Sequence, residues 1–194
     1  MEGLVARTLN PETEQLLVES AIGCFAERGF WNTPTALVSK TAGVAGGTLF
    51  NYFPTKDALL TAVYLDIKRE LASVLLAGIE AHTEARQKFQ HVWRRYIDWG
   101  LRHPGRFVVL QQLTQSRELS DESRAQGNEP FLVLEQLLRE GIAAGQFFDY
   151  PVAYVAALFN SNATTTLEFL ASQGTQAGDY VEAGFAMFWR GISR

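Results

Sequence analysis

An all-α fold is what this 194-residue chain predicts, and three observations predict it. Apolar residues recur at three- and four-residue intervals, as on one side of a helix. No stretch alternates apolar with polar residues as a half-buried strand does. Glycine, proline and short polar runs punctuate the chain at helix-length intervals. About nine helices are expected, the first three forming a helix-turn-helix unit and the rest a larger helical domain.

The first helix runs roughly Pro11–Arg28, with Leu17, Ala21, Cys24, Phe25 and Arg28 at helical spacing, and stops at Gly29. Thr33 is read as the N-cap of the second, with Pro34 at its first position, where a missing N–H costs nothing. Leu37, Val38 and Ala42 give that helix an apolar side, and Gly43 ends it. A left-handed residue is needed there, and glycine adopts it without strain. The third helix spans roughly Ala45–Asn51. Ser39, four residues before Gly43, suits the close crossing of the two helices, and Leu49, six residues after it, fills the wedge between them.

Thr55 caps a long fourth helix, about Lys56–Ala81, in which Leu60, Val63, Ile67, Leu71, Val74 and Leu75 repeat. Further helices are expected at roughly Glu84–Arg102, Gly105–Leu113, Glu129–Ala144, Val152–Ser172 and Gly178–Gly191. Breaks fall at His103-Pro104-Gly105, Gly145, Tyr150-Pro151 and Gln173-Gly174, and the polar stretch Ser116–Asn128 reads as a mobile loop. The division is residues 1–55, a helix-turn-helix domain, and 56–194, an effector-binding and dimerisation domain.

The chemistry of the helix-turn-helix points to duplex DNA. Ala45-Gly46-Gly47 carry almost no side chain, so backbone there can approach base edges while Thr48 supplies polar contacts. No Asp or Glu occurs between Phe30 and Lys56, although acids outnumber bases in the chain (21 to 17). A stretch lying against phosphates cannot hold carboxylates. The capped start of the fourth helix and Lys56 together suit one phosphate. The plain alternative is a corner between core helices, with Gly43, Leu49, Phe50, Tyr52 and Phe53 serving packing alone.

At this point the residues resemble a family. Leu16 to Leu60, with Phe25-Ala26-Glu27-Arg28-Gly29-Phe30, Thr33, Ala42-Gly43-Val44, Gly47-Thr48-Leu49-Phe50-Asn51-Tyr52-Phe53 and Lys56-Asp57-Ala58-Leu59-Leu60, is similar to the DNA-binding domain of TetR-family transcriptional regulators. The resemblance implies a homodimeric repressor released from a palindromic operator by a small molecule. It implies Thr33, Thr48, Tyr52 and Lys56 against DNA, with Thr33 and Lys56 at phosphates. Thr35, Ala45, Gly46, Gly47, Phe50 and Asn51 complete the candidate set. Phe50 stands where a tyrosine is common, which removes a hydroxyl able to bond phosphate. Asn51 and Gly46 replace longer or different side chains, so base preferences do not transfer. Ser39 replaces the usual alanine.

Net charge of −4 opposes DNA binding in general, because phosphate neutralisation dominates affinity. Backbone amides, hydroxyls and a few lysines suffice when helix starts aim at phosphates, with weak non-specific binding as the consequence. No apolar run reaches membrane-spanning length and Met1–Asn10 lacks an apolar signal core, so a cytoplasmic location with no membrane partner is expected. The single cysteine, Cys24, reads as a small core hydrophobe.

Trp93, Tyr96, Ile97, Phe107, Leu110, Leu134 and Leu138 form a candidate effector chamber: apolar, with a few polar tips. For any single aromatic among them, ordinary core packing is the favoured reading. Phe159, Asn162 and Thr166 share a helix face with Val155, so two polar residues interrupt an apolar stripe and must be paired. Each other, a ligand and a second subunit are all open to them. Few charges accompany this set, which favours a mostly neutral, apolar or aromatic effector. Ala156, Ala157, Phe185, Phe188 and Trp189 on the last two helices are the candidate dimer face, with packing inside one chain as the alternative.

An enzyme is disfavoured. His82, His91 and His103 lack the three- or four-residue spacing of helical metal ligands, and no phosphate loop, nucleophile elbow or paired acid motif occurs. No cofactor and no metal are expected. The remaining rival is a helical, dimeric interaction module that no longer binds DNA or responds to an effector.

Overall fold

A computed structural model describes residues 9–173 and 178–194. Gly174 of the break expected at Gln173-Gly174, and residues 1–8 of the stretch Met1–Asn10, lie outside the described residues. The described residues are helical throughout, with no strand and one antiparallel backbone pair between Phe147 and Ser193. The helices are α1 (Pro11–Arg28), α2 (Thr35–Thr41), α3 (Gly46–Tyr52), α4 (Lys56–Leu76), α5 (Ala85–Arg102), α6 (Pro104–Gln115), α7 (Asp121–Asn128), α8 (Leu132–Ala143), α9 (Val152–Gln173) and α10 (Gly178–Ile192). Tight 3-10 turns occupy Ile79–Ala81 and Glu129–Phe131.

The chain packs as two compact units. One comprises residues up to Ile67 together with Gly105–Gly127, the other Lys68–Pro104 together with Asn128–Arg194. The packing boundary therefore falls inside α4 rather than at its start, and the first unit is discontinuous in sequence.

In the first unit, α1 begins with Asn10, whose side chain accepts from the Glu12 N–H, and with Pro11 at the first position. Leu17, Ala21 and Phe25 are fully buried on its inner side, and Cys24 is buried with its sulfur 3.4 Å from the Thr41 hydroxyl. The Arg106 guanidinium bonds the Asp66 carboxylate at 2.9 Å and also pairs with Glu19. Gln112 accepts from the Phe30 N–H. The segment expected to be a loop instead contains α7. Ser120 caps it by accepting from the Ser123 N–H at 3.1 Å, and Arg124 donates to the carbonyls of Thr114 and Ser116. The helix has no apolar stripe; besides its cap and first-turn acids it buries the small residues Ser123 and Gly127, the latter closely against Tyr64.

In the second unit, α5 buries Phe89, Val92, Trp93, Tyr96, Ile97 and Trp99. Trp93 is fully enclosed: its indole N–H donates to the Val181 carbonyl at 2.8 Å, Phe188 stacks parallel and Phe159 meets it edge-on. Trp99 donates to the Glu70 carboxylate at 2.8 Å. Gly184 lets α10 approach closely, because a methyl group there would sit 2.5 Å from Thr166 Oγ1 and 2.7 Å from the Trp93 ring.

Candidate nucleic-acid interface

The turn between α2 and α3 follows the expected chemistry. Gly43 has φ +68°, its N–H donates to the Lys40 carbonyl, and the Val44 N–H donates to the Ser39 carbonyl at 3.0 Å. That pair of bonds is the left-handed helix stop which satisfies the last carbonyls of α2. Ser39 is buried at the crossing, its hydroxyl donating to the Thr35 carbonyl, and Leu49 is completely enclosed behind α3.

What α3 buries with Leu49 leaves its other side in solvent. Ala45, Gly46, Gly47, Phe50 and Asn51 are exposed, and Thr48, Tyr52, Thr35 and Lys56 are half-exposed. A methyl group added at Gly46 or Gly47 would meet nothing within 4 Å, so these glycines are not required by packing inside the chain. Their bareness costs helix stability relative to alanine, by less than the ~1 kcal/mol of an interior glycine because both lie in the first turn, with no internal contact to compensate. Thr55 accepts from the Ala58 N–H at 3.1 Å and caps α4, placing Lys56 at its first position. The Tyr52 hydroxyl accepts from the Asn10 N–H at 3.0 Å, which ties the end of α3 to the start of α1.

Thr33 departs from its expected role. It is 1% exposed, and its hydroxyl donates to the Gly29 carbonyl at 2.8 Å. A buried, paired hydroxyl cannot reach a phosphate. Nor does Thr33 cap α2: Pro34 bars it from helical backbone, and Pro34 itself occupies the cap without a side-chain acceptor. Its carbonyl instead accepts from Lys56 Nζ at 3.1 Å. The two residues assigned to phosphates thus touch each other, and only Lys56 has surface to offer.

The candidate effector residues separate. Phe107 and Leu110 belong to the first compact unit, and Trp93, Tyr96, Ile97, Leu134, Leu138, Phe159, Asn162 and Thr166 to the second. Asn162 donates to the Leu158 carbonyl and Thr166 to the Asn162 carbonyl, each at a spacing of four. Both polar groups are therefore satisfied by the backbone of their own helix, an arrangement the residue pattern left open. On the candidate dimer face, Phe185 and Phe188 are buried in one chain against Trp93 and Phe89, and Trp189 packs edge-on to Phe147. Phe185 and Phe188 are core residues here, and Trp189 is half-buried. Ala156 and Ala157 are exposed, as are Tyr154 and Met187. Periodicity identifies an apolar side and does not say what covers it.

Among the described residues no group of three or more His, Cys, Asp or Glu converges as metal ligands do, and no helix is long and apolar enough to cross a membrane.

Residues 17–63 match the pattern of the family described as bacterial regulatory proteins, tetR family, and residues 89–189 match that of a tetracyclin repressor-like C-terminal domain. The chain is 27% identical over 104 residues to the nucleoid occlusion factor SlmA of Haemophilus influenzae; the match takes in 54% of this chain and 48% of the relative. It thus spans about half the length of that relative. A solved TetR-family transcription regulator from Shewanella sp. PV-4 superposes with a TM-score of 0.83 at 26% identity, over 94% of this chain and 98% of that one. The regulator FadR of Bacillus subtilis, solved in complex with stearoyl-CoA, shares the fold with a TM-score of 0.73 at 19% identity, over 92% and 99% of the two chains.

Proposed function

This chain belongs to the TetR family of bacterial regulatory proteins, DNA-binding transcription regulators rather than enzymes, and from that premise we propose that it is a cytoplasmic homodimeric repressor released from its operator by a small, mostly apolar molecule. The observation that carries the DNA-binding surface is the uncrowded outer side of α3. Two glycines with open space around them, followed by exposed Phe50 and Asn51, form a surface that the protein's own packing does not use. Thr48 and Asn51 supply the polar edge contacts there, Tyr52 and Lys56 the backbone contacts, and Thr35 lies at the start of α2. Thr33 serves by holding Lys56.

The dimer is the reading of the exposed sides of α9 and α10, through Ala156, Ala157, Tyr154 and Met187 rather than through Phe185 and Phe188. A palindromic operator with half-sites about 34 Å apart follows from two reading helices related by a two-fold axis. The effector reading places an apolar molecule in the second unit among Tyr96, Ile97, Leu134, Leu138 and Phe159, with Asn162 and Thr166 polar only toward their own helix. The fold shared with a stearoyl-CoA complex supports an apolar tail. Such a ligand acts only through a higher affinity for the state that leaves DNA.

Footprinting of the purified chain on the DNA upstream of its own gene tests the reading. A protected near-palindrome, lost on adding long-chain acyl compounds, is expected. No protection on any fragment, with the chain folded and dimeric, would leave a helical interaction module as the better description.

A further inference from the structure

The turn that leads from α4 into α5 folds two histidines onto each other inside the second compact unit. His82 follows the Ile79–Ala81 turn and His91 lies nine residues later on α5; Nε2 of the first is 3.3 Å from Nδ1 of the second. His91 Nε2 is 3.0 Å from the Ala77 carbonyl oxygen. A carbonyl only accepts, so Nε2 carries the proton and Nδ1 presents a lone pair toward His82. One ring nitrogen anchored on a backbone carbonyl, with the lone pair of the other turned to a neighbouring imidazole, is how imidazoles are held for metal ligation.

The separation fits as well. Two nitrogens each ~2.0–2.1 Å from a tetrahedral ion stand about 3.3 Å apart. Gln87, four residues before His91, shares its side of α5 and lines the same groove of about 520 Å³. The groove's other charges are mostly spoken for: Arg94 bonds Glu182 at 2.6 Å, and Asp98 pairs with Arg102. Arg95 remains beside the histidines, and its charge opposes a bare cation there, so the ion has to carry an anion or hydroxide with it.

We propose that His82 Nε2, His91 Nδ1 and the Gln87 amide oxygen form a site for a divalent transition metal of the Zn²⁺, Ni²⁺ or Cu²⁺ kind, with water or an anion in the groove completing the shell. Imidazole nitrogen is the ligand these ions share. The bound ion joins the turn after α4 to α5, and it is independent of the DNA-binding surface.

The test uses the full chain without an affinity tag. Calorimetric titration with Zn²⁺ is expected to show one site per chain, weakened at least ~10-fold in His82→Gln and in His91→Gln and unchanged in His103→Gln. Electron paramagnetic resonance of the unaltered chain with one equivalent of Cu²⁺ is expected to show two nitrogen ligands, a readout that needs no variant to fold. No Zn²⁺ binding at micromolar protein, binding that survives both substitutions, or a Cu²⁺ spectrum with oxygen ligands alone would overturn the site and leave a histidine pair that is only hydrogen-bonded. DNA protection is read separately, so a negative result here does not touch the operator reading.

Discussion

The Lys56 ammonium lies 3.1 Å from the Thr33 carbonyl oxygen, so the first residue of α4 is fastened to the chain just ahead of α2. An ammonium has three donors, and this bond uses one. A lysine held at a capped helix start, with two donors left over, suits the phosphate contact proposed for it, because its side-chain freedom is already restricted.

Lys56→Ala is expected to weaken DNA binding by about 1–3 kcal/mol on every sequence alike, and to lower the slope of affinity against salt by about one. Tyr52→Ala should weaken it similarly. Fluorescence anisotropy across a salt series measures both quantities. Unchanged affinity in both variants would remove the assigned contact surface.

Thr33→Val separates folding from recognition. The buried hydroxyl now satisfies the Gly29 carbonyl, so its loss should cost about 1–3 kcal/mol of stability. Affinity of the folded protein for DNA should barely change, since no part of that side chain reaches solvent. Urea unfolding beside binding at low temperature distinguishes the two effects.

Gly184→Ala forces a methyl group against Thr166 Oγ1 and the Trp93 ring. Overpacking at a tight helix crossing is expected to destabilise by about 1–3 kcal/mol. The near-ultraviolet circular dichroism of Trp93 should shift as the ring moves. A melting temperature equal to that of the unaltered chain would show that the crossing gives way at no cost.

Lys68 provides a pH test. Its ammonium lies 4.3 Å from the Phe131 ring centroid, and burial lowers its pKa from 10.5 to about 8. Between those values the unfolded chain binds more protons than the folded one, so this residue's contribution to stability rises with pH across that window. Lys68→Met should be the more stable protein at pH 7, with an advantage of up to about 3 kcal/mol that shrinks toward pH 10.5. Denaturant midpoints of both proteins across that range measure the difference, in which the other titrating groups cancel. A constant difference would show that Lys68 is solvated in the folded state.

The elements legible in the sequence were those with both a stripe and a stop. Pro11–Arg28 was bounded by a proline at one end and Gly29 at the other, and Gly43 marked the α2–α3 turn. The polar run that became α7 has no stripe; its signal was Ser120 followed by Asp121 and Glu122, a cap and acids. On the candidate interface the bare stretch Ala45-Gly46-Gly47 was readable, because exposure there follows from Leu49 being the residue α3 buries. The burial of Thr33 was not, since a threonine before proline suits a surface and a core equally. Phe185 and Phe188 were apolar as expected, and only tertiary packing shows that Trp93 covers them. His82 and His91 were too far apart in sequence to be related by helical spacing, and the turn after α4 brings them together.

One topological feature bears on how the protein can be dissected. The compact unit holding the helix-turn-helix leaves the chain at Ile67 and resumes at Gly105. A fragment ending at residue 67 would keep every residue proposed to face DNA yet strand Glu19 and Asp66 without the Arg106 guanidinium that joins them, and deprive the Phe30 amide of Gln112. Swapping reading heads between relatives by a single cut is therefore expected to fail; a viable chimera must carry the second stretch along with the first.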